Sequence, residues 1–246
     1  MLVKSQVKYI QSLGHKKFRD TEGVFVAEGP KLVRELLLCG NTALVSGYAT
    51  HDWIQENEAL IQVQNSILEV DIRDLERVSF LSTAAPVLAI FRKPVFLSSG
   101  ETKGITLLLD NIQDPGNLGT IIRTADWFGI RRMICSKDTA DLFNPKVVQS
   151  TMGSIARVEI LYQGLMEYME AHPGIPSFAA MLDGEALDQK IRVPEGIVLI
   201  GNESRGIQEE LAALAGHRVR IPGSGSAESL NAAVAAGIML FSIQKS

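Results

Sequence analysis

Short, continuous apolar runs bounded by turn formers dominate the back of the chain. Ile105 to Asp110, Arg132 to Ser136, Val158 to Leu161, Ser177 to Leu182, Gly196 to Gly201 and Arg218 to Pro222 each read as a strand, and helical periodicity fills most of the intervals. Apolar strands alternating with helices predict an α/β fold whose parallel sheet is covered by helices on both faces. Ligands of such sheets bind beyond the carboxyl ends of the strands, so polar residues directly after those runs are the ones that matter. The front third follows another pattern. Lys31 to Leu38 carries Leu32, Val33, Leu36 and Leu37 at helical spacing after Gly29 and Pro30, where proline suits a first helical position. Val24 to Ala27, Ala43 to Gly47 and Val87 to Phe91 read as short strands. The pattern changes near Arg92, Lys93 and Pro94, and the polar stretch Ser98 to Gly104 follows. The expected organisation is therefore a small α/β domain over 1–93, a linker over 94–104 and a larger domain over 105–246.

Composition narrows this picture without redirecting it. The chain has 246 residues, 46% hydrophobic and 21% charged, which suffices for a substantial core. Its longest apolar runs fall far short of the roughly 18 to 20 residues that span a bilayer. Met1 to Phe18 has no continuous apolar stretch of the secretory kind, and a cytoplasmic protein is expected. Cys39 and Cys135 lie far apart with no partner motif, which points to two buried thiols and to neither a disulfide framework nor a zinc site. The net charge of −4 opposes nucleic-acid binding only in total. Before Asp20 stand Lys4, Lys8, Lys16, Lys17, Arg19 and His15 and no acid, a cluster that fits either an RNA-facing patch or a solvated helix face.

Three strand ends carry the candidate chemistry. After Ile105 to Leu109 comes a run from Asp110 to Asn117 dense in turn formers, and Asn117 is placed to cap the next helix. In that helix Leu118, Ile121, Ile122, Ala125 and Phe128 form an apolar stripe, while Arg123 lies roughly 140° from Leu118, at about 100° per residue, facing away from the core. The second junction follows Ile197 to Ile200: Gly201 permits a close approach, and Asn202 and Glu203 stand at the sheet edge. Glu203 pairing with Arg205 or Arg123 is the structural alternative. The third junction runs from Ile221 and Pro222 through Gly223, Ser224, Gly225 and Ser226 to Ser229, Leu230 and Asn231 at the mouth of a small-residue helix. Its glycines suggest a phosphate cradle, but the final glycine of a dinucleotide fingerprint is missing, and the chain holds no Gly-Lys-Ser/Thr loop. Neither a Gly-x-Ser-x-Gly elbow nor a motif around His15, His51, His172 or His217 supports hydrolysis.

Together the three junctions resemble the three motifs of the SpoU/TrmH family of RNA ribose 2′-O-methyltransferases, within the SPOUT superfamily. Asn117, Gly119, Arg123, Thr124 and Ala125 match the first; Gly201, Asn202, Glu203 and Gly206 the second; Ile221, Pro222, Ser229, Leu230 and Asn231 the third. Lys16 to Arg19 and Phe25 to Gly29 resemble the family's small substrate-binding domain, itself similar to RNA-binding ribosomal proteins. The resemblance implies S-adenosyl-L-methionine as cofactor, a ribose 2′-hydroxyl of ribosomal or transfer RNA as acceptor, a C-terminal trefoil knot and a homodimer. It implies that Gly201, Asn202, Ile221, Pro222 and Leu230 frame the cofactor, and that Arg123, Asn117, Glu203, Ser229 and Asn231 form the catalytic set. Arginine stays protonated at neutral pH and is a poor free base, so Arg123 is expected to bind phosphate and polarise the hydroxyl, oriented by Asn117 and Glu203. The alternative is a non-catalytic RNA-binding protein that retains the fold.

Overall fold

The computed structural model describes residues 1–61, 66–96, 104–187 and 192–244. In chain order its elements are α1 (Lys4–Ser12), α2 (Lys16–Glu22), β1 (Val24–Glu28), α3 (Pro30–Leu38), β2 (Leu44–Ala49), α4 (His51–Glu56), α5 (Glu58–Ile61), β3 (Ile67–Glu69), α6 (Ile72–Glu76) and β4 (Val87–Arg92). There follow β5 (Ile105–Leu109), α7 (Pro115–Trp127), β6 (Arg132–Cys135), α8 (Pro145–Thr151), β7 (Glu159–Tyr162), α9 (Leu165–Ala171), β8 (Ser177–Ala186), β9 (Gly196–Ile200), α10 (Glu209–Ala212), β10 (His217–Arg220) and α11 (Ala232–Ile243). They divide into two compact units, Met1–Leu97 with Asp141–Arg157, and Ser98–Ala140 with Val158–Ser246.

The first unit is built on a four-stranded sheet of order β1-β4-β2-β3, in which β4 runs antiparallel to β1 and β2, and β3 parallel to β2. Val24, Val26, Leu88 and Ile90 turn toward Ile10 of α1 and Leu75 of α6 in one core cluster. The alternate residues Phe25 and Phe91 stack at 5.9 Å on the opposite face, where Phe143 meets Phe25 at 5.4 Å. Phe143 belongs to Asp141–Arg157, which leaves the second unit between β6 and β7 and lays α8 on β1. Here the structure departs from the boundary read in the sequence, which kept 105–246 in one piece. Periodicity marks Val147 and Val148 as an apolar helix face but carries no information about which sheet that face covers. The segment is anchored by Arg19, 2% exposed, whose guanidinium bonds Asp141 at 2.5 Å and the Leu13 carbonyl at 2.7 Å. Arg19 therefore leaves the basic cluster expected at the N-terminus, while Lys4, Lys8, His15, Lys16 and Lys17 remain exposed. The proposed linker 94–104 lies mostly outside the described residues.

The second unit is a six-stranded, all-parallel sheet of order β10-β8-β9-β5-β6-β7. Both central strands, β5 and β9, are buried along their whole length, as continuous apolar runs require. Leu108, Ile197 and Leu199 pack with Leu165 and Met169 of α9 and Leu211 of α10. The pleat turns Leu107, Leu109, Val198 and Ile200, all buried, to the opposite face, and α11 lies against β9 and α7. A fully buried side chain of this size contributes roughly 1.5–3 kcal/mol, so the strands are held chiefly by these two apolar layers. Because all strands are parallel, their carboxyl ends meet at one edge of the sheet.

Candidate functional site

At that edge β5 runs into α7, and the helix start differs from the sequence expectation. Asp114, not Asn117, is the N-cap: its carboxylate accepts the Asn117 N–H at 2.8 Å, and Pro115 takes the first helical position. Two cap-forming residues stand three apart, and proline, with φ pre-set and no N–H to satisfy, favours the earlier one. Asn117 is thereby freed from capping and sits one turn into the helix with its side chain available. Leu118, Ile121, Ile122 and Ala125 bury the inner face as the spacing predicts, with Phe128 partly exposed just past the helix end.

The Asn117 amide joins three distant segments. Its Nδ2 donates a short hydrogen bond to Glu203 Oε1, and its Oδ1 accepts from Asn231 Nδ2 at 2.9 Å. Asn231 is the N-cap of α11, its Oδ1 accepting from Ala233 and Val234 N–H at 2.9 and 3.3 Å. The orientations follow from chemistry. A carboxylate only accepts, so Asn117 must turn its NH₂ to Glu203, leaving its oxygen for Asn231. The result is a directed relay from the start of α11 through two amides to one carboxylate.

Beside it, the loop after β9 folds back on itself. Asn202 and Gly206 exchange backbone hydrogen bonds at 3.1 and 2.9 Å. Asn202 Oδ1 accepts from Ser204 and Arg205 N–H at 2.8 and 3.2 Å, and its Nδ2 donates to the Asn111 carbonyl at 2.9 Å. A Cβ on Gly201 would lie 2.2 Å from the Gly206 carbonyl carbon, so only glycine fits this approach. The buried Asp110 closes the loop's far end, accepting from Gln208 N–H at 2.9 Å and Nε2 at 3.0 Å. Asp110, Asn111 and Gln208 are not among the residues that the sequence pattern singles out for the site. The first two directly follow an apolar strand, which was the available signal; Gln208 carried none.

Of the predicted catalytic set, Asn117, Glu203 and Asn231 are bonded together. Arg123 is not among them. It is exposed and has no hydrogen-bond or ion-pair partner among the described residues. Within the chain no hydrogen bond among the described residues joins Arg123 to Asn117 or Glu203. Six residues along α7, Arg123 lies about 120° around the axis from Asn117, and it points elsewhere. Glu203 likewise pairs with Asn117 rather than with Arg123 or Arg205. Ser229 is exposed and its hydroxyl makes no hydrogen bond within the described residues. Ile221 and Pro222 follow the end of β10, and Leu230, 44% exposed, precedes the Asn231 cap. The Cys135 thiol is pushed up to about 12 by burial, which leaves it inert, whereas Cys39 is only partly buried, against the expectation of two buried thiols. Among the described residues no group of His, Cys, Asp and Glu is placed to hold a metal ion.

Residues 104–241 match the SpoU rRNA methylase family, and residues 4–89 match the MRM3-like substrate binding domain. The chain is 31% identical over 252 residues to the 23S rRNA (guanosine(2553)-2′-O)-methyltransferase RlmP of Bacillus subtilis, covering 97% of this chain and 96% of the relative. Among solved structures, a protein of the TrmH family of RNA methyltransferases from Porphyromonas gingivalis superposes with a TM-score of 0.82 at 36% identity, over 99% of this chain and 98% of that one. An rRNA methyltransferase from Sinorhizobium meliloti with bound AdoMet superposes with a TM-score of 0.84 at 32% identity, over 98% and 95%.

Proposed function

Since the chain belongs to the SpoU rRNA methylase family, we propose that it transfers a methyl group from S-adenosylmethionine to a ribose 2′-hydroxyl of a structured RNA, ribosomal or transfer. One observation carries the reading: the amide relay from Asn231 through Asn117 to Glu203 adjoins a strand-end loop so tight that Gly201 admits no side chain.

The residues present suit the cofactor. Gly201 lets the loop close on Gly206, Asn202 holds it in shape, and Ile221, Pro222 and Leu230 would supply apolar surface for a flat ring. When bound, S-adenosylmethionine supplies an electrophilic methyl on a sulfonium, so the protein's task is positioning the hydroxyl and accommodating its proton. Arg123, a permanent cation, binds an RNA phosphate and draws the hydroxyl into line, and the proton leaves to a phosphate or carboxylate oxygen. Asn117 and Glu203 fix the floor of the site, and Ser229 and Asn231 its loop.

A homodimer completes this arrangement. Thr120, Arg123 and Trp127 share the outer stripe of α7, with Trp127 84% exposed. Neighbouring α11 is apolar nearly all round yet leaves Val234 and Phe241 uncovered, as a helix awaiting a partner does. A second copy seated there carries Arg123 toward the partner's relay. The first unit, residues 1–93 in outline, serves as the RNA-binding domain through its exposed lysines, and 105–246 as the catalytic domain with the family's trefoil knot. No helix among the described residues is long and apolar enough to cross a membrane, and the reading includes a cytoplasmic setting where its RNA is made.

The test is a map of 2′-O-methyl sites in total RNA from cells with and without the gene. Loss of a defined ribosomal or transfer RNA methyl on deletion is expected; identical maps overturn the proposal. Calorimetric titration showing binding of NAD or ATP but not S-adenosylmethionine would also overturn it.

A further inference from the structure

Asn111, the second residue past β5, has a φ of 57°. Only Met152 shares a positive φ among the described non-glycine residues, and Met152 is the C-cap of α8, a place where left-handed backbone is ordinary. Asn111 ends no helix. Left-handed backbone crowds a Cβ, and asparagine tolerates it better than most residues. What the conformation achieves is visible in its two backbone groups. The Asn111 N–H donates to Ser136 Oγ, just past β6, at 2.8 Å, and its carbonyl accepts from Asn202 Nδ2, just past β9, at 2.9 Å. One peptide turn therefore ties together the ends of three adjacent strands, β9, β5 and β6.

The side chain adds nothing comparable. Asn111 Oδ1 is enclosed and has no hydrogen-bond partner among the described residues. Its backbone, by contrast, sets the orientation of the Asn202 amide. That amide's oxygen holds the Ser204 and Arg205 N–H groups and so shapes the Gly201–Gly206 loop. We infer that Asn111 is a positioning residue whose left-handed backbone, rather than its amide, holds the methyl-donor loop through Asn202. The assignment of that loop to the donor rests on the function proposed above; the mechanical role does not.

Substitution separates backbone from side chain. N111A disfavours the left-handed turn, and it is expected to weaken S-adenosylmethionine binding about five- to tenfold, the loss falling on KM for the donor and not on kcat. N111G adopts the turn freely and restores wild-type affinity within about twofold, although it lacks the amide altogether. N202A removes the donor of the same bond, and the N111A/N202A double variant should lose no more than the worse single variant. Amide hydrogen exchange at Ser204, Arg205 and Gly206 in the ligand-free protein gives a readout independent of any cofactor. Exchange accelerates about tenfold in N111A and stays at the wild-type rate in N111G. An N111G as impaired as N111A, or loop amides unmoved by N111A, overturns the inference. Should N111A not fold, S136A, which removes the acceptor of the Asn111 N–H without touching the loop, decides it by the same measurement: faster exchange of the loop amides is expected, and an unmoved rate overturns the inference. Failure of the wild-type protein to bind S-adenosylmethionine would sink the functional reading while leaving the exchange result to judge Asn111.

Discussion

The two units deploy their polar groups in opposite ways. In the first, charge is turned inward and consumed by structure: Arg19 is buried against Asp141, Asp74 holds the Leu2 N–H and Arg77, and Glu28 takes the Ser79 hydroxyl and the Phe80 N–H. At the sheet edge of the second, neutral amides do the joining. Asn117, Asn202 and Asn231 link strand ends and loops through their side-chain amides, beside the carboxylates of Glu203 and the buried Asp110, and the nearby cation, Arg123, has no partner among the described residues. An amide both donates and accepts, so it can fix a loop without burying formal charge, which keeps the free positive charge for a substrate. A buried charge marks architecture here, and an idle one marks function.

The largest effect expected from that contrast is at Arg123. Arg123→Ala should cut methyl transfer about 10²- to 10³-fold, in the range for removing one transition-state electrostatic contact. Thermal stability and S-adenosylmethionine affinity should stay at wild-type values, because the residue is exposed and makes no hydrogen bond or ion pair among the described residues. Single-turnover transfer to RNA, beside calorimetry of the cofactor, checks it; undiminished transfer reduces Arg123 to a surface charge and dissolves the contrast. Next comes Asp141→Ala, which leaves a guanidinium that is 2% exposed with only the Leu13 carbonyl. Breaking a buried pair costs about 3–5 kcal/mol, and since Asp141 is itself 20% exposed, about 2–3 kcal/mol is expected in urea unfolding. Arg123→Ala should move the same unfolding curve hardly at all.

Much of this contrast was legible in the chain, and its limits are physical. The parallel sheet could be read because β5 and β9 are buried on both faces, which forces continuous apolar runs. The outward aim of Arg123 followed from helical angle alone. What could not be read were partnerships across distance. Asn117 and Asn231 bond across 114 residues, and Arg19 and Asp141 across 122, and no local period encodes such pairs. The three-motif resemblance grouped Asn117, Glu203 and Asn231, but assigned Asn117 and Glu203 to Arg123, whereas within the chain they bond each other and Asn231. The helix cap was misplaced for a local reason, since Asp114 and Asn117 are both good caps and only Pro115 breaks the tie.

A smaller effect sharpens the amide side of the comparison. Asn231 both caps α11 and donates to Asn117, and two substitutions divide these roles. Asn231→Ala loses both and should cost about 1 kcal/mol of stability, typical for a helix cap. Asn231→Asp keeps the cap acceptor but sets an oxygen against Asn117 Oδ1 where a donor stood. Its stability should stay within about 0.5 kcal/mol of wild type, while transfer falls about tenfold, the worth of roughly one hydrogen bond. If Asp restores turnover along with stability, the relay is only a cap and the amides at this edge have no catalytic bearing.

The smallest effect tests the charged side through pH. Burial, with Glu28 only 4% exposed, pushes its carboxyl above the ordinary range, opposed by the hydrogen bonds from Ser79 at 2.5 Å and Phe80 at 2.7 Å. A carboxyl whose value is raised on folding binds its proton more tightly in the folded protein. Its contribution to stability is then full below the unfolded value, about 4.3, and is lost as pH rises through the folded one. Glu28→Gln removes the titration while its amide can still accept from Phe80 and donate to Ser79. The variant should match wild type near pH 4 and gain on it toward neutrality, by no more than about 1 kcal/mol because two charge-assisted bonds already offset much of the burial. Melting temperatures of both proteins from pH 4 to pH 8 decide it. A difference of opposite sign, with wild type gaining on Gln as pH rises, would mean that the carboxylate is the favoured form, and that even the first unit's inward charges are retained for more than packing.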